Sequence, residues 1–266
     1  RACEGGHLSV CQWLFEVGAA GDITKTNNYG DTPMHKACEG GHLSVCQWLF
    51  EVGASADITK TNDMGYTPMY RACEGGHLSV CQWLFEVGAA GDITKANNRG
   101  CTPMHKACDG GHLSVCQWLF EVGAAGDITK ANNRGCTPMH KACDGGHLSV
   151  CQWLFEVGAA GDITKANNRG CTPMHKACDG GHLSVCQWLF EVGAAGDITK
   201  ANNRGCTPMH KACDGGHLSV CQWLFEVGAA GDITKAGNEG YTPMHEACKG
   251  GHLSVCQWLF EVGAAG

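Results

Sequence analysis

Gly111-His112-Leu113-Ser114-Val115-Cys116-Gln117-Trp118-Leu119-Phe120-Glu121-Val122-Gly123-Ala124 occurs eight times, without one substitution, in a chain of 266 residues. The copies begin at Gly6, Gly41, Gly76, Gly111, Gly146, Gly181, Gly216 and Gly251, a period of 35 residues. A fixed period of this size signals a stacked repeat array. Seven residues of the quoted stretch are apolar between Leu113 and Val122, and only Ser114, Gln117 and Glu121 are polar. A helix apolar over most of its circumference must be covered by neighbours on several sides. Gly123 stands where a helix end needs positive φ.

Outward from that stretch, Thr102-Pro103 reads as an N-cap followed by a preorganised first helical residue. A short helix is predicted from Pro103 to about Asp109, with Met104, Ala107 and Cys108 on one stripe. Gly110-Gly111 ends it and turns the chain into the second helix, about Leu113 to Val122. Residues 124–135 carry no helical stripe, and Asn132-Asn133-Arg134-Gly135 reads as a hairpin tip. The expected fold is an all-α repeat solenoid of stacked helix-turn-helix units joined by β-hairpin fingers. One array spans 1–266: a partial first unit 1–30, full units at about 31–65, 66–100, 101–135, 136–170, 171–205 and 206–240, and a final unit 241–266 truncated after its second helix.

These residues resemble a known family. Thr102-Pro-Met-His-Lys-Ala-Cys-Asp-Gly-Gly-His-Leu113 is similar to the ankyrin-repeat signature, with Met104 where Leu is usual and Cys108 where the second Ala is usual. The stretch Gly111–Ala124 resembles the ankyrin second helix, with Trp118 and Phe120 replacing leucines. The period exceeds the family's usual length of about 33 residues. The extra residues fall between Ala124 and Gly135 and imply a longer finger or connector. The resemblance also implies that His105 hydrogen-bonds Thr102 or a neighbouring backbone.

Bulk composition narrows the function. The apolar fraction of 44% supplies a core, although no single unit can bury its own face. The net charge of −7 leaves no basic excess for nucleic acid. Each unit from Tyr66 to Gly205 sums to zero, and the deficit sits in Asp31, Asp57 and Asp63 and in Glu239 and Glu246. No apolar run approaches membrane-spanning length, and no signal peptide is present. Arg1-Ala2-Cys3 matches Arg71-Ala72-Cys73, so the natural N-terminus is expected upstream. The twenty cysteines fall in three columns, of the Cys38, Cys46 and Cys101 types. Equivalent residues of stacked units sit about 10 Å apart, too far for a disulfide. Small buried thiols in an intracellular, reducing compartment are expected, with a Cys38–Cys46 bridge as the alternative.

Cys101-x3-His105-x2-Cys108, followed by His112-x3-Cys116, invites a zinc reading. Asp31, Tyr66 and Tyr241 break that pattern in other units, and Tyr70 replaces the histidine, so no metal is expected. No phosphate loop and no singular nucleophile–base constellation occur, so neither cofactor nor catalysis is expected.

Variation is confined to the fingers and first helices. The tip residue runs Tyr29, Met64, Arg99, Arg134, Arg169, Arg204, Glu239. The residue after the tip glycine runs Asp31, Tyr66, Cys101, Cys136, Cys171, Cys206, Tyr241. The family resemblance implies that fingers and first helices form a concave surface for a protein partner. The candidate contacts are Tyr29, Asp31, Met64, Tyr66, Arg99, Lys106, Arg134, Lys141, Arg169, Lys176, Arg204, Lys211, Glu239 and Tyr241. Drift of exposed positions and recent tandem duplication predict the same pattern. The second functional expectation is a structural array that binds copies of itself, end to end, in a filament.

Overall fold

The computed structural model describes residues 1–264, so the last two residues of the final unit lie outside the described residues. Two compact bodies are present, Arg1–Asn133 and Arg134–Gly266, referred to as the N-terminal and C-terminal halves. Both are built from the same repeat. A first helix such as Pro103–Asp109 is followed by a tight turn and a second helix such as Leu113–Leu119. The second helix then widens into a π-type turn over Phe120–Ala124 that breaks at Gly123, and a separate 3-10 turn follows over Ala125–Thr129.

The first helix starts at Thr102, as the Thr-Pro pair predicts. Thr102 and His105 form a reciprocal capping box, with Pro103 at the first turn. In the second helix Val115, Cys116 and Leu119 are fully buried, and they meet Met104, Ala107 and Cys108 of the first-helix stripe in one core. Deleting a side chain such as Leu119 from so tight a core costs about 2–5 kcal/mol.

The connector departs from expectation. Residues 124–135 hold a 3-10 turn over Ala125–Thr129, in the stretch containing the two residues beyond the usual family period. Gly123, at φ 122°, ends the second helix, and Ile128 is buried under the restarted turn. Asp127 stands in that turn's opening and holds Lys130 at 3.1 Å. A sequence scan for a helical stripe passes over so short a segment.

The fingers differ too. Among the described residues no strand forms. A finger such as Asn97–Cys101 is closed by Asn97 N–H donating to the Cys101 carbonyl at 2.9 Å and Gly100 N–H donating to the Asn97 carbonyl at 2.9 Å. One closure is too short for a ladder, and Pro103 turns the chain into its helix directly afterwards. The next amide, Asn98 N–H, bonds the Met64 carbonyl of the preceding finger at 3.1 Å. Backbone pairing therefore closes each such turn within the finger and then continues to the neighbouring finger instead of extending into a ladder.

Aromatic side chains tie successive second helices. Phe50–Trp83 and Phe85–Trp118 in the N-terminal half, and Phe155–Trp188 and Phe190–Trp223 in the C-terminal half, pack edge to face at 5.8–5.9 Å. Such geometry is worth about 0.5–1.5 kcal/mol beyond area burial. Trp118 is only half-buried, so it does not reach the value of a fully covered indole.

Candidate partner-binding surface

The finger tips are built on a fixed polar scaffold. Asn97 Oδ1 accepts the N–H groups of Arg99 at 2.9 Å and Cys101 at 3.0 Å, which locks the turn from within. The next finger grips it from outside. Asn133 N–H donates to the Arg99 carbonyl at 3.1 Å, and Asn133 Nδ2 donates to the Asn98 carbonyl at 3.2 Å. The C-terminal half repeats the arrangement: Asn203 N–H reaches the Arg169 carbonyl at 3.0 Å, and Asn238 N–H reaches the Arg204 carbonyl at 2.8 Å. The tip glycine is fixed by the same contact. Gly100 sits at φ 74°, and a Cβ there would lie 2.4 Å from Asn133 Oδ1. The residue just before this glycine is the one that varies.

The side chains of that varying column point outward. Tyr29 is 67% exposed, and Arg99, Arg134, Arg169, Arg204 and Glu239 are exposed. Met64 is half-buried. The column after the tip glycine turns inward instead. Cys101 is buried and receives Asn132 Nδ2 at 3.2 Å, and Cys136 receives Asn167 Nδ2 at 3.3 Å. Asp31, expected on the surface, is only 3% exposed. It accepts Asn62 Nδ2 at 2.7 Å and faces Arg71 at 3.6 Å. Burial pushes its carboxyl up, but the Asn62 amide and Arg71 guanidinium together outweigh this and hold it below the ordinary carboxylate range. Its charge is answered inside the protein. Tyr66 is half-buried, stacked on Tyr70 at 4.6 Å with the Arg71 guanidinium over its ring at 4.5 Å. Tyr241 is 51% exposed beside His245.

The first-helix cations are largely engaged with the preceding repeat. Lys106 meets Glu74 at 2.9 Å as well as its own-helix Asp109 at 3.4 Å. Lys176 meets Asp144 at 3.3 Å, and Lys211 meets Asp179 at 3.4 Å. Lys141 occupies the same half-buried position. For Lys106 and Lys211, burial would lower the pKa, but the carboxylate partner outweighs it and the ammonium is held above its ordinary range. Such pairs contribute about 0–1 kcal/mol each. They link first helices to the repeat before them, while the tip arginines Arg99, Arg134, Arg169 and Arg204 are exposed.

Two histidine ladders tie successive repeats, the first using both partners expected for His105, the capping threonine and a neighbouring backbone. His140 Nε2 reaches the Cys171 carbonyl at 3.2 Å, and His175 reaches the Cys206 carbonyl at 3.2 Å. A carbonyl only accepts, so Nε2 carries the proton, and Nδ1 accepts from the Thr137 or Thr172 N–H at 3.2 Å. Both ring nitrogens are thereby engaged, and burial pushes each imidazole down to about 4. The second ladder uses the histidine before the second helix. His77, His182 and His217 each bond a carbonyl at the end of the preceding first helix, at 2.9–3.0 Å from Glu39, Asp144 and Asp179. The constant Gly-Gly-His triplet was its only trace in the sequence. Within each repeat the two helix cysteines face each other as free thiols, not the alternative disulfide: Cys38–Cys46, Cys108–Cys116 and Cys178–Cys186 all lie at 3.6 Å between sulfurs. Burial, reinforced by the neighbouring thiol, pushes Cys38 and Cys178 well above the ordinary thiol range.

Among the described residues, no helix is long and apolar enough to cross a membrane. The family model for ankyrin repeats, in a three-copy form, matches residues 1–97, 55–130, 87–166, 125–200 and 194–265. No curated protein matches the chain.

Proposed function

Because the chain belongs to the ankyrin-repeat family, whose repeats generally mediate protein–protein interaction, we propose that it is a non-enzymatic scaffold that holds a protein partner on its finger tips and first-helix faces. One observation carries this reading. The position that varies most, from Tyr29 and Met64 through the arginines to Glu239, stands on backbone that the neighbouring finger holds by hydrogen bonds, as at Met64, Arg99, Arg169 and Arg204. A rigid platform with interchangeable exposed side chains lowers the ordering cost of binding while leaving specificity adjustable. The contact set comprises Tyr29, Met64, Tyr66, Arg99, Arg134, Arg169, Arg204, Glu239 and Tyr241, flanked by Lys106, Lys141, Lys176 and Lys211. Asp31 is left out because it is buried.

The test is to select binders from a displayed library of protein segments against the 266-residue chain. Binding is then compared for Arg169→Glu on a tip and Glu156→Lys on the exposed side of a second helix. Selected segments should lose Arg169→Glu and keep Glu156→Lys. Binders indifferent to every tip substitution would remove the tips from the contact surface.

A second reading is end-to-end stacking of copies into a filament. Trp13 and Val17 at one end, and Leu253 and Phe260 at the other, are exposed in this segment. Their equivalents meet within the halves, as Phe225 meets Trp258 at 5.8 Å. Light scattering over a wide concentration range should then show growth that Phe260→Glu abolishes, and a concentration-independent monomer would end the idea.

A further inference from the structure

Within a repeat the charges sum to zero, but they do not lie together. In the C-terminal half, Lys165 is held by Asp162 at 3.2 Å, and Lys176 and Lys211 meet Asp144 and Asp179 of the preceding repeat at 3.3 and 3.4 Å. The tip arginines of this half are exposed along the fingers, and an exposed glutamate stands in the last turn of each second helix: Glu156, Glu191 and Glu226. The C-terminal half therefore presents a row of exposed arginines, Arg134, Arg169 and Arg204, along its fingers, with exposed glutamates on the second helices.

The row has a fixed pitch. Asn168, Asn203 and Asn238 tie each tip to the next at 2.8–3.0 Å, so the arginine backbones repeat with the stacking distance of the helices, about 10 Å. The tie also decides how a partner can bind. The tip carbonyls and adjacent-finger amides bond one another, so a strand cannot add to this edge through its backbone. Recognition must come through side chains alone.

We propose, building on the partner-binding reading above, that this edge takes an acidic segment in the polyproline II conformation with a carboxylate at every third residue. Polyproline II has three residues per turn and a rise of about 3.1 Å, so every third side chain returns to one face after about 9 Å. A β-strand alternates faces, and its same-face side chains repeat at about 7 Å, out of step with the row. An α-helix comes into step only at every seventh residue, so spanning three tips takes about 15 residues, a length at which an isolated helix is marginal in water. Polyproline II spans the row in about seven residues and arrives preordered, with its backbone needing no partner. Arginine forks suit carboxylates bidentately.

Fluorescence anisotropy of labelled synthetic peptides with the full chain tests this. Five repeats of Glu-Pro-Pro should bind, and binding should weaken as salt is raised. The same peptide with Gln for Glu should not bind, and Glu-Pro repeats of equal charge should bind at least about fivefold more weakly. Arg169→Ala and Arg204→Ala should each weaken Glu-Pro-Pro binding about two- to fivefold, the effect of one exposed ion pair, with unchanged circular dichroism. Equal affinity for Glu-Pro-Pro and Glu-Pro repeats, tighter binding of a helical peptide with Glu at every seventh residue, equal binding of single-stranded DNA of matched charge, or indifference to both alanine variants would each overturn the assignment. Library-selected segments that require Arg169 while Glu-Pro-Pro fails would overturn the partner class alone. Selected segments that ignore the tips would overturn the surface itself.

Discussion

A buried histidine that must stay neutral makes a protein answer to acid. His140 and His175 hold their pKa near 4 because burial opposes the charge, and each Nδ1 is committed to accepting from threonine. In the unfolded chain the same groups titrate near about 6.5. Between about pH 6.5 and 4 the unfolded state therefore binds more protons, and stability falls as pH falls through that window. Each such histidine removes about 3 kcal/mol once the pH lies below both values. Urea midpoints at pH 7.5 should thus drop steeply by pH 4.5, and His140→Gln should flatten the dependence. Glycines divide just as sharply. Gly146 lies at φ 76°, and a Cβ there would meet His182 Nδ1 at 2.3 Å, whereas Gly161 has open space and ordinary φ. Gly146→Ala should cost more than about 1 kcal/mol, and Gly161→Ala should be neutral or gain up to about 1 kcal/mol; thermal melts of the two variants distinguish them.

At the scale of the helix pair, the central question is what the paired thiols can do. Cys73, Cys143 and Cys178 are fully buried and held far above the ordinary thiol range, so they present little nucleophilic thiolate while the hairpin is closed. Iodoacetamide labelling read by mass spectrometry should mark the exposed Cys248 and the half-buried Cys206 first. The interior pairs should react only when denaturant opens the repeat. The helices themselves were legible in the sequence, since Thr102-Pro103 fixes the start of the first and Gly123 the end of the second. The 3-10 turn over Ala125–Thr129 was not, because a single turn carries no periodic stripe. The finger was half legible: Asn132–Gly135 marks a turn, but nothing local reveals that its amides bond the neighbouring finger instead of forming a hairpin. The candidate surface was legible where variation met exposure, as at Arg99 and Tyr29. It misled at Asp31, because whether a polar side chain turns toward Asn62 of the next repeat is a tertiary fact.

Across the whole molecule, stability is distributed rather than centralised. Within each half, a repeat adds one set of contacts to its predecessor: a histidine to a carbonyl, an asparagine to the finger before it, and a tryptophan to a phenylalanine. Removing residues 171–205 should therefore lower the urea m-value and the unfolding free energy by roughly one repeat's share, leaving mean helicity per residue unchanged. Collapse of the shortened chain would mean that some repeats are not interchangeable. The backward reach of His182 and His217 onto the repeat before them has a genetic corollary. The His182 and His217 joints use the same donor and the same backbone acceptor, so unequal crossing-over in steps of 35 codons within the identical repeats recreates these contacts. Copy number becomes a freely mutable trait, and the span available to a partner lengthens or shortens without any invention in the protein's interior.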